Sequence, residues 1–331
     1  AFLDATGTLD LLQPQTFRSP VVNFQKGDTL LFDGWPARNV VYAAGTISSG
    51  STASALGTVT VYQAGTKNPV ATFPISFDTP TLPTLAMAED SRGGSFLTIS
   101  VPRTWSGGTG DWYDDANWTT QGTVYPNSHP LPGDVVQIGS GTAEIRNDLL
   151  DHGPLDNAII RLGGTSTLDL TDVDLGAYLS VTTTGTADQS TIRLHGTSTL
   201  TGSLSAAAQN GRFTLDARDA HLTIAAFGTI TDSTESSALI EGTLTNDGQI
   251  VVDGSTALQG ATIDGSGVIA LGGTLSVGSG SIAATQQIDF TRGDATLIVA
   301  PGATVAAQIE GFVAGDRIDL QGVTADAAIF D

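Results

Sequence analysis

Between Leu244 and Phe290 the apolar positions fall into columns 19 residues apart. Leu244, Ile263 and Ile282 form one column (263 − 244 = 282 − 263 = 19), Ile250, Ile269 and Ile288 a second, and Val252, Leu271 and Phe290 a third. Leu258 and Val277 make a shorter fourth. Within each repeat, apolar and polar residues alternate, as in Ile250-x-Val252, the period-two signature of a strand with one buried face. Gly, Ser, Thr, Ala, Asn and Asp fill the intervals. A fixed period that preserves the character of each column predicts stacked coils, here a β-helix. Burying the few aliphatic side chains of one coil, at ~1.5–3 kcal/mol each, does not offset ordering its backbone at ~1–2 kcal/mol per residue. Such coils are therefore stable only when stacked.

The alternation runs from Val135 almost without a break. Ile160-Arg-Leu-Gly-Gly164-Thr-Ser-Thr-Leu168 recurs as Ile192-Arg-Leu-His-Gly196-Thr-Ser-Thr-Leu200, an offset of 32 (192 − 160 = 32), which reads as a coil carrying an inserted turn. Upstream, residues 1–103 hold strand-like runs at Val21–Phe24, Thr29–Phe32, Val40–Tyr42, Val59–Tyr62, Val70–Phe73 and Phe96–Val101, separated by Gly, Pro and Ser. They predict a sandwich-like or irregular β module. Pro74, Pro80 and Pro83 argue against a central strand in their stretch.

Residues 104–134 differ from both neighbours, because three of the four Trp residues lie there, among Gly and Asp. We expect a compact loop held by stacked rings rather than by strands, with Trp105, Trp112, Asn117 and Trp118 capping the open end of a solenoid over residues 135–331. The competing reading of the same rings is a platform for sugars.

The end of the chain copies its beginning. Thr296-Leu297 matches Thr8-Leu9, Ile309 matches Val21, Phe312 matches Phe24, Gly315-Asp316 matches Gly27-Asp28, Ile318 matches Leu30 and Leu320 matches Phe32, all at one offset (316 − 28 = 288). Phe290 falls on Phe2 and Phe330 on Tyr42 at the same offset. Residues 289–331 are thus expected to be a partial second copy of the N-terminal module's start. That pattern suits either a piece of a larger tandem-repeat protein or a chain whose unfinished end pairs with another molecule. Head-to-tail pairing of that kind is heterologous and builds fibres.

Composition narrows the function. A formal net charge of −21, from 34 acidic and 13 basic residues, disfavours nucleic acids and anionic membrane surfaces as partners. Without Cys there is no disulfide framework and no thiol chemistry, and no apolar run approaches the ~20 residues of a membrane helix. Ala1 is not a start Met, which suggests a processed product or a fragment.

Candidate chemistry is sparse. Asp111, Asp114 and Asp115 offer oxygen ligands for Ca²⁺, although Gly107-Gly-Thr-Gly-Asp111 is an isolated near-miss to the calcium nonapeptide. No other cofactor is expected. Asp114-Asp115 is also the nearest thing to a hydrolytic carboxylate pair. Asp216, Arg218, Asp219 and His221 form the densest titratable cluster, and alternation places Asp219 and His221 on one strand face. An exposed, solvated strand face is the plainer reading of that cluster. His129, His152, His195 and His221 show no zinc spacing. The Thr-Ser-Thr runs at 165–167 and 197–199 suggest solvent-facing strand Thr, two being too few for an ice-binding array.

Trp105-x-x-Gly-x-Gly-x-Trp112-x-x-x-x-Asn117-Trp118, followed by Pro132-Gly-Asp134-Val-Val-x-Ile138, resembles the opening segment of bacterial autotransporter-like β-helix passengers. Phe24-x-x-Gly-Asp28-x-Leu30 and Phe312-x-x-Gly-Asp316-x-Ile318-Asp-Leu320 look like modules of large bacterial secreted proteins, some of which carry a self-processing Hint domain. The resemblance implies export, a right-handed parallel β-helix and a surface or adhesive role. No Hint-type cysteine and no membrane β-barrel accompanies it. The sequence therefore points to a non-catalytic, extracellular or cell-surface protein of a bacterial surface, matrix or fibre. Its expected partners are neighbouring repeats or further copies, or a surface polysaccharide. The alternative is a carbohydrate-binding or polysaccharide-degrading β-helix, a lyase or a hydrolase.

Overall fold

A computed structural model of the chain describes residues 7–25, 27–35, 37–43, 57–63, 68–77, 84–89, 95–120, 129–130, 134–146, 159–173, 175, 178–183, 188–208, 211–233 and 236–322. Phe2, Pro80, Pro83, Pro132, Gly133, His152 and Phe330 lie outside the described residues. The fold is all-β, with no α-helix among the described residues. A large parallel sheet winds into a β-solenoid of about ten turns.

The columns read from sequence are the ladder of this solenoid. Leu244 stands opposite Ile263 and Ile263 opposite Ile282. Ile250, Ile269 and Ile288 stack in register, as do Val252, Leu271 and Phe290, and all six are buried in one continuous core. In the regular region each turn consists of one short strand, such as Gln249–Val252, and one long strand, such as Ser255–Asp264. The long strand bends so that its two halves serve different faces. Gly260 takes φ +65° within it, and the register with the next long strand shifts between Leu258 and Thr262. A left-handed residue re-aims the strand without loss of its ladder, and glycine adopts that conformation without a Cβ penalty.

Turn length is not uniform. Ser237 pairs with Ser255, a turn of 18 residues (255 − 237 = 18), whereas Ser203 pairs with Thr229, a turn of 26 (229 − 203 = 26). The 32-residue recurrence is not a coil repeat. Ile160 stacks between Val136 and Leu179, while Ile192 stacks between Leu168 and Leu215. The two copies start on different faces, and what repeats is the bent strand itself, with Gly164 and Gly196 at φ +57° and +71°. Ser166 and Ser198 point inward and are buried, with Thr165, Thr167, Thr197 and Thr199 facing out. Thr167 pairs with Thr191 and Thr199 with Thr223, so the two runs do not merge into one threonine array.

The stack begins earlier than Val135. Pro102–Trp105 pairs in parallel with Val135–Gln137, and Thr109–Asp111 with Thr142–Glu144, so the Trp-rich stretch is itself the first turn and is held by strands as well as by rings. Trp118–Thr120 then runs antiparallel to Pro102–Trp105 and closes the end.

Ahead of the solenoid, two four-stranded sheets share a core. One has the order Thr8–Asp10, Thr29–Phe32, Ser95–Ser100, Thr84–Glu89, and the other Val21–Phe24, Pro69–Phe77, Gly57–Gln63, Ala37–Ala43. Pro74 sits inside Pro69–Phe77, which is a central strand, contrary to the expectation from its proline. Pro74 faces Thr58, and the parallel pairing on the other edge begins only at Ile75, opposite Val21. The missing amide thus falls where one edge has no partner.

Candidate functional site

The titratable cluster on the solenoid comes from stacked register. Asp169, Arg193, Asp216 and Glu241 occupy successive rungs of one face. Arg193 lies 3.5 Å from Asp169 and 3.8 Å from Asp216, and Arg218 grips Asp216 through Nε and Nη2 at 2.9 and 2.7 Å and reaches Glu241 at 3.6 Å. His195 adds a 3.2 Å contact to Asp169. The Arg218 guanidinium holds the Asp216 carboxyl below the usual carboxylate range. A general acid or base needs a pKa near working pH, so this carboxylate is tuned away from that role.

Asp219 and His221 do not form a pair. Asp219 is exposed opposite His195, and no hydrogen bond or ion pair joins it to His221 among the described residues. His221 Nε2 lies 2.9 Å from Thr245 Oγ1, whose single proton goes to Asp264 Oδ1 at 2.6 Å. The hydroxyl therefore accepts from the imidazole, the reverse of the arrangement in which histidine activates a nucleophile.

At the first turn, Trp105 and Trp118 meet edge to face at 4.9 Å, and Trp112 and Trp118 at 4.8 Å. All three rings are buried, so they present no face on which a sugar could stack. Trp118 Nε1 donates to the Trp112 carbonyl at 2.6 Å, and Asn117 Nδ2 donates to the Asp111 carbonyl at 2.9 Å. The three nearby carboxylates are engaged separately. Asp111 accepts from the Tyr113 amide, Asp114 from the Ala116 amide, and Asp115 from both the amide and the imidazole Nδ1 of His129. These bonds to His129 lower the pKa of Asp115. Among the described residues no group of three or more acidic, His or Cys side chains is gathered as a metal site. Below the turn, Arg103 and Asp134 form a fully buried ion pair, Nε to Oδ2 3.2 Å, and Asp134 Oδ1 also accepts from the Val101 amide at 3.3 Å.

Sequence reading missed a carboxylate inside the core. Asp232 takes the column of Ala206, Val252, Leu271 and Phe290. Its Oδ2 accepts from Thr256 Oγ1 at 2.8 Å, while Oδ1 and the nearby Ser236 Oγ are buried without a partner. Desolvation raises its pKa to about 6. The sequence does carry the signal: Ile230-x-Asp232 aligns with Ile250-x-Val252 once the turn is allowed 20 residues (250 − 230 = 20).

The two copies of the terminal module fold alike. Thr8 pairs with Thr29 and Thr296 with Arg317, in parallel and at the same offset. Asp28 accepts from the amides of Gly7 and Gln25 at 3.0 and 2.9 Å, and Asp316 from those of Ala295 and Val313 at 3.1 and 2.8 Å. Gly27 and Gly315 both adopt positive φ, 94° and 108°, and a Cβ on Gly315 would collide with the Gly293 carbonyl. Their surroundings differ. Val21, Phe24, Leu30 and Phe32 are at most 3 % exposed beneath the N-terminal module. Ile309, Phe312, Ile318 and Leu320, with neighbouring Val313, are 38 to 54 % exposed. Phe312 packs edge on at 5.2 Å against Phe290.

These features define a parallel β-solenoid whose first turn is closed by buried tryptophans and whose last described turn carries exposed apolar side chains. No family model, curated protein or solved structure matches the chain.

Proposed function

We propose that this chain is a non-catalytic structural or adhesive rod, joined end to end in an extracellular bacterial surface layer, matrix or fibre. One observation carries the reading: columns covered by a β module at Val21, Phe24, Leu30 and Phe32 reappear uncovered at Ile309, Phe312, Ile318 and Leu320. At ~4.8 Å per turn, about ten turns give a shaft roughly 50 Å long with a single core. The densest charged cluster on that shaft, around Asp216 and Arg218, is paired within itself. An acidic, Cys-free surface suits export and keeps such rods soluble.

Sedimentation velocity over rising concentration, with electron microscopy of the same samples, tests the reading. End-joined rods longer than one chain are expected. Single particles at the highest concentration would sink it. Cleavage of any member of a polysaccharide panel would instead favour the carbohydrate-active alternative.

A further inference from the structure

We propose that the C-terminal turn of one copy docks onto the N-terminal β module of a second copy, displacing that copy's own residues 7–35. The inference rests on the end-to-end reading above and names the contact that makes it.

The module already displays the complementary surface. Val21 stands opposite Ile75 and Phe24 opposite Phe77 in the parallel ladder, and Phe24 meets Phe77 edge to face at 6.4 Å. Leu30 stands opposite Leu97 in the antiparallel ladder with Ser95–Ser100. At the fixed offset (309 − 21 = 288), Ile309, Phe312 and Ile318 would fill these three positions. Among the described residues, the edges needed carry a single ladder each, Gln308–Glu310 to Gln287–Phe290 and Arg317–Leu320 to Thr296–Val299. The matching backbone bonds of Asp28 and Asp316 mean that the incoming turn arrives in the shape of the one it replaces.

Anchoring decides the direction of exchange. Thr8–Asp10 has one ladder partner, Thr29–Phe32, and lies at a sheet edge. Its counterpart Thr296–Val299 is laddered on both sides, to Thr274–Ile282 and to Arg317–Leu320. The C-terminal turn is thus ordered before docking, whereas residues 7–35 are held mainly by the module they cover. Preorganised segments lose less conformational freedom on binding. Exchange buries the open apolar set while releasing the equivalent Val21, Phe24, Leu30 and Phe32, so preorganisation rather than net burial favours it. It leaves each rod with the same two ends, so the contact is heterologous and propagates.

The test uses the full chain, which has no native Cys. In Ile75→Cys/Ile309→Cys, oxidation should produce covalent dimers and longer ladders. In Val21→Cys/Ile75→Cys, oxidation should lock the module to its own residues and hold the chain monomeric until reduction. Amide exchange on unsubstituted protein gives an independent readout: on assembly, residues 7–35 should exchange at least tenfold faster while Gln308–Glu310 and Arg317–Leu320 become protected. Rods that form with residues 7–35 still protected, or that give no disulfide between Ile75→Cys and Ile309→Cys, would overturn the exchange while leaving the end-to-end reading intact. Absence of any assembly would remove both.

Discussion

Asp28 and Asp316 each hold the amide of the residue three before and one 21 before, yet Asp28 is fully buried and Asp316 is half-exposed. One sequence motif therefore makes one local structure in two environments. Hydrogen bonds to a charged group contribute ~1.5–3 kcal/mol, and a buried donor left unmatched costs its desolvation as well. Asp28→Ala is expected to destabilise the N-terminal module by about 3 kcal/mol. Asp316→Ala, where water can replace the carboxylate, should cost about 1 kcal/mol and fray only the last turn. Thermal melts combined with amide exchange separate the two effects.

Asp232 makes the solenoid's stability depend on pH. Its folded pKa, about 6, lies above the ordinary value of 3.8. The folded state thus binds the proton more tightly than the unfolded one, and the stabilisation is fully present below about pH 4 and lost as pH rises through about 6. A shift of this size corresponds to about 3 kcal/mol. Asp232→Asn should remove that loss, so the stability of variant relative to wild type should rise between about pH 4 and 7 and then level off. A difference flat across this range would contradict the assignment. The comparison must be made against wild type, because burial raises the pKa of Asp28 in the same direction while Asp115 and Asp216 are shifted the other way.

Arg103 and Asp134 join the first turn to the second from inside the protein. Asp134→Ala removes the buried carboxylate that Arg103 pairs with, a change that costs ~3–5 kcal/mol. The double variant Arg103→Met/Asp134→Leu should recover most of that loss, since apolar replacement of a buried pair is often neutral or better. A denaturant series on the two variants would show whether it does.

Trp118 is the ring that both other tryptophans touch. Trp118→Ala is expected to cost ~3–5 kcal/mol and to act locally, loosening Pro102–Trp105 and Thr109–Asp111 first. Near-ultraviolet circular dichroism should lose most of its tryptophan signal, while the far-ultraviolet β spectrum is retained. Parallel loss of both signals would mean that the first turn is not a separable cap.

The columns from Leu244 to Phe290 were legible because a stacked turn of constant length repeats its inward positions at a fixed interval. Where turn length varies, as between Ser203 and Thr229, the same stacking leaves no period, and Ile160 and Ile192 imitate a repeat without sharing a column. Pro74 misled for a related reason: a proline is excluded from a strand only where its amide would have met a partner. The Asp219 and His221 pair failed because a register shift between Ala217 and His221 separates neighbours that simple alternation would place together.

By itself the sequence determined the parallel β-solenoid and the kinship of the chain's two ends, since both are written in spacing and side-chain character. Only the tertiary structure decided what those features face. It put Trp105, Trp112 and Trp118 inside the first turn, Asp232 inside the core, and Phe24 and Phe312 in opposite circumstances. Spacing fixes which residues stack, but exposure depends on what lies across the sheet, and that comes from residues distant in the chain.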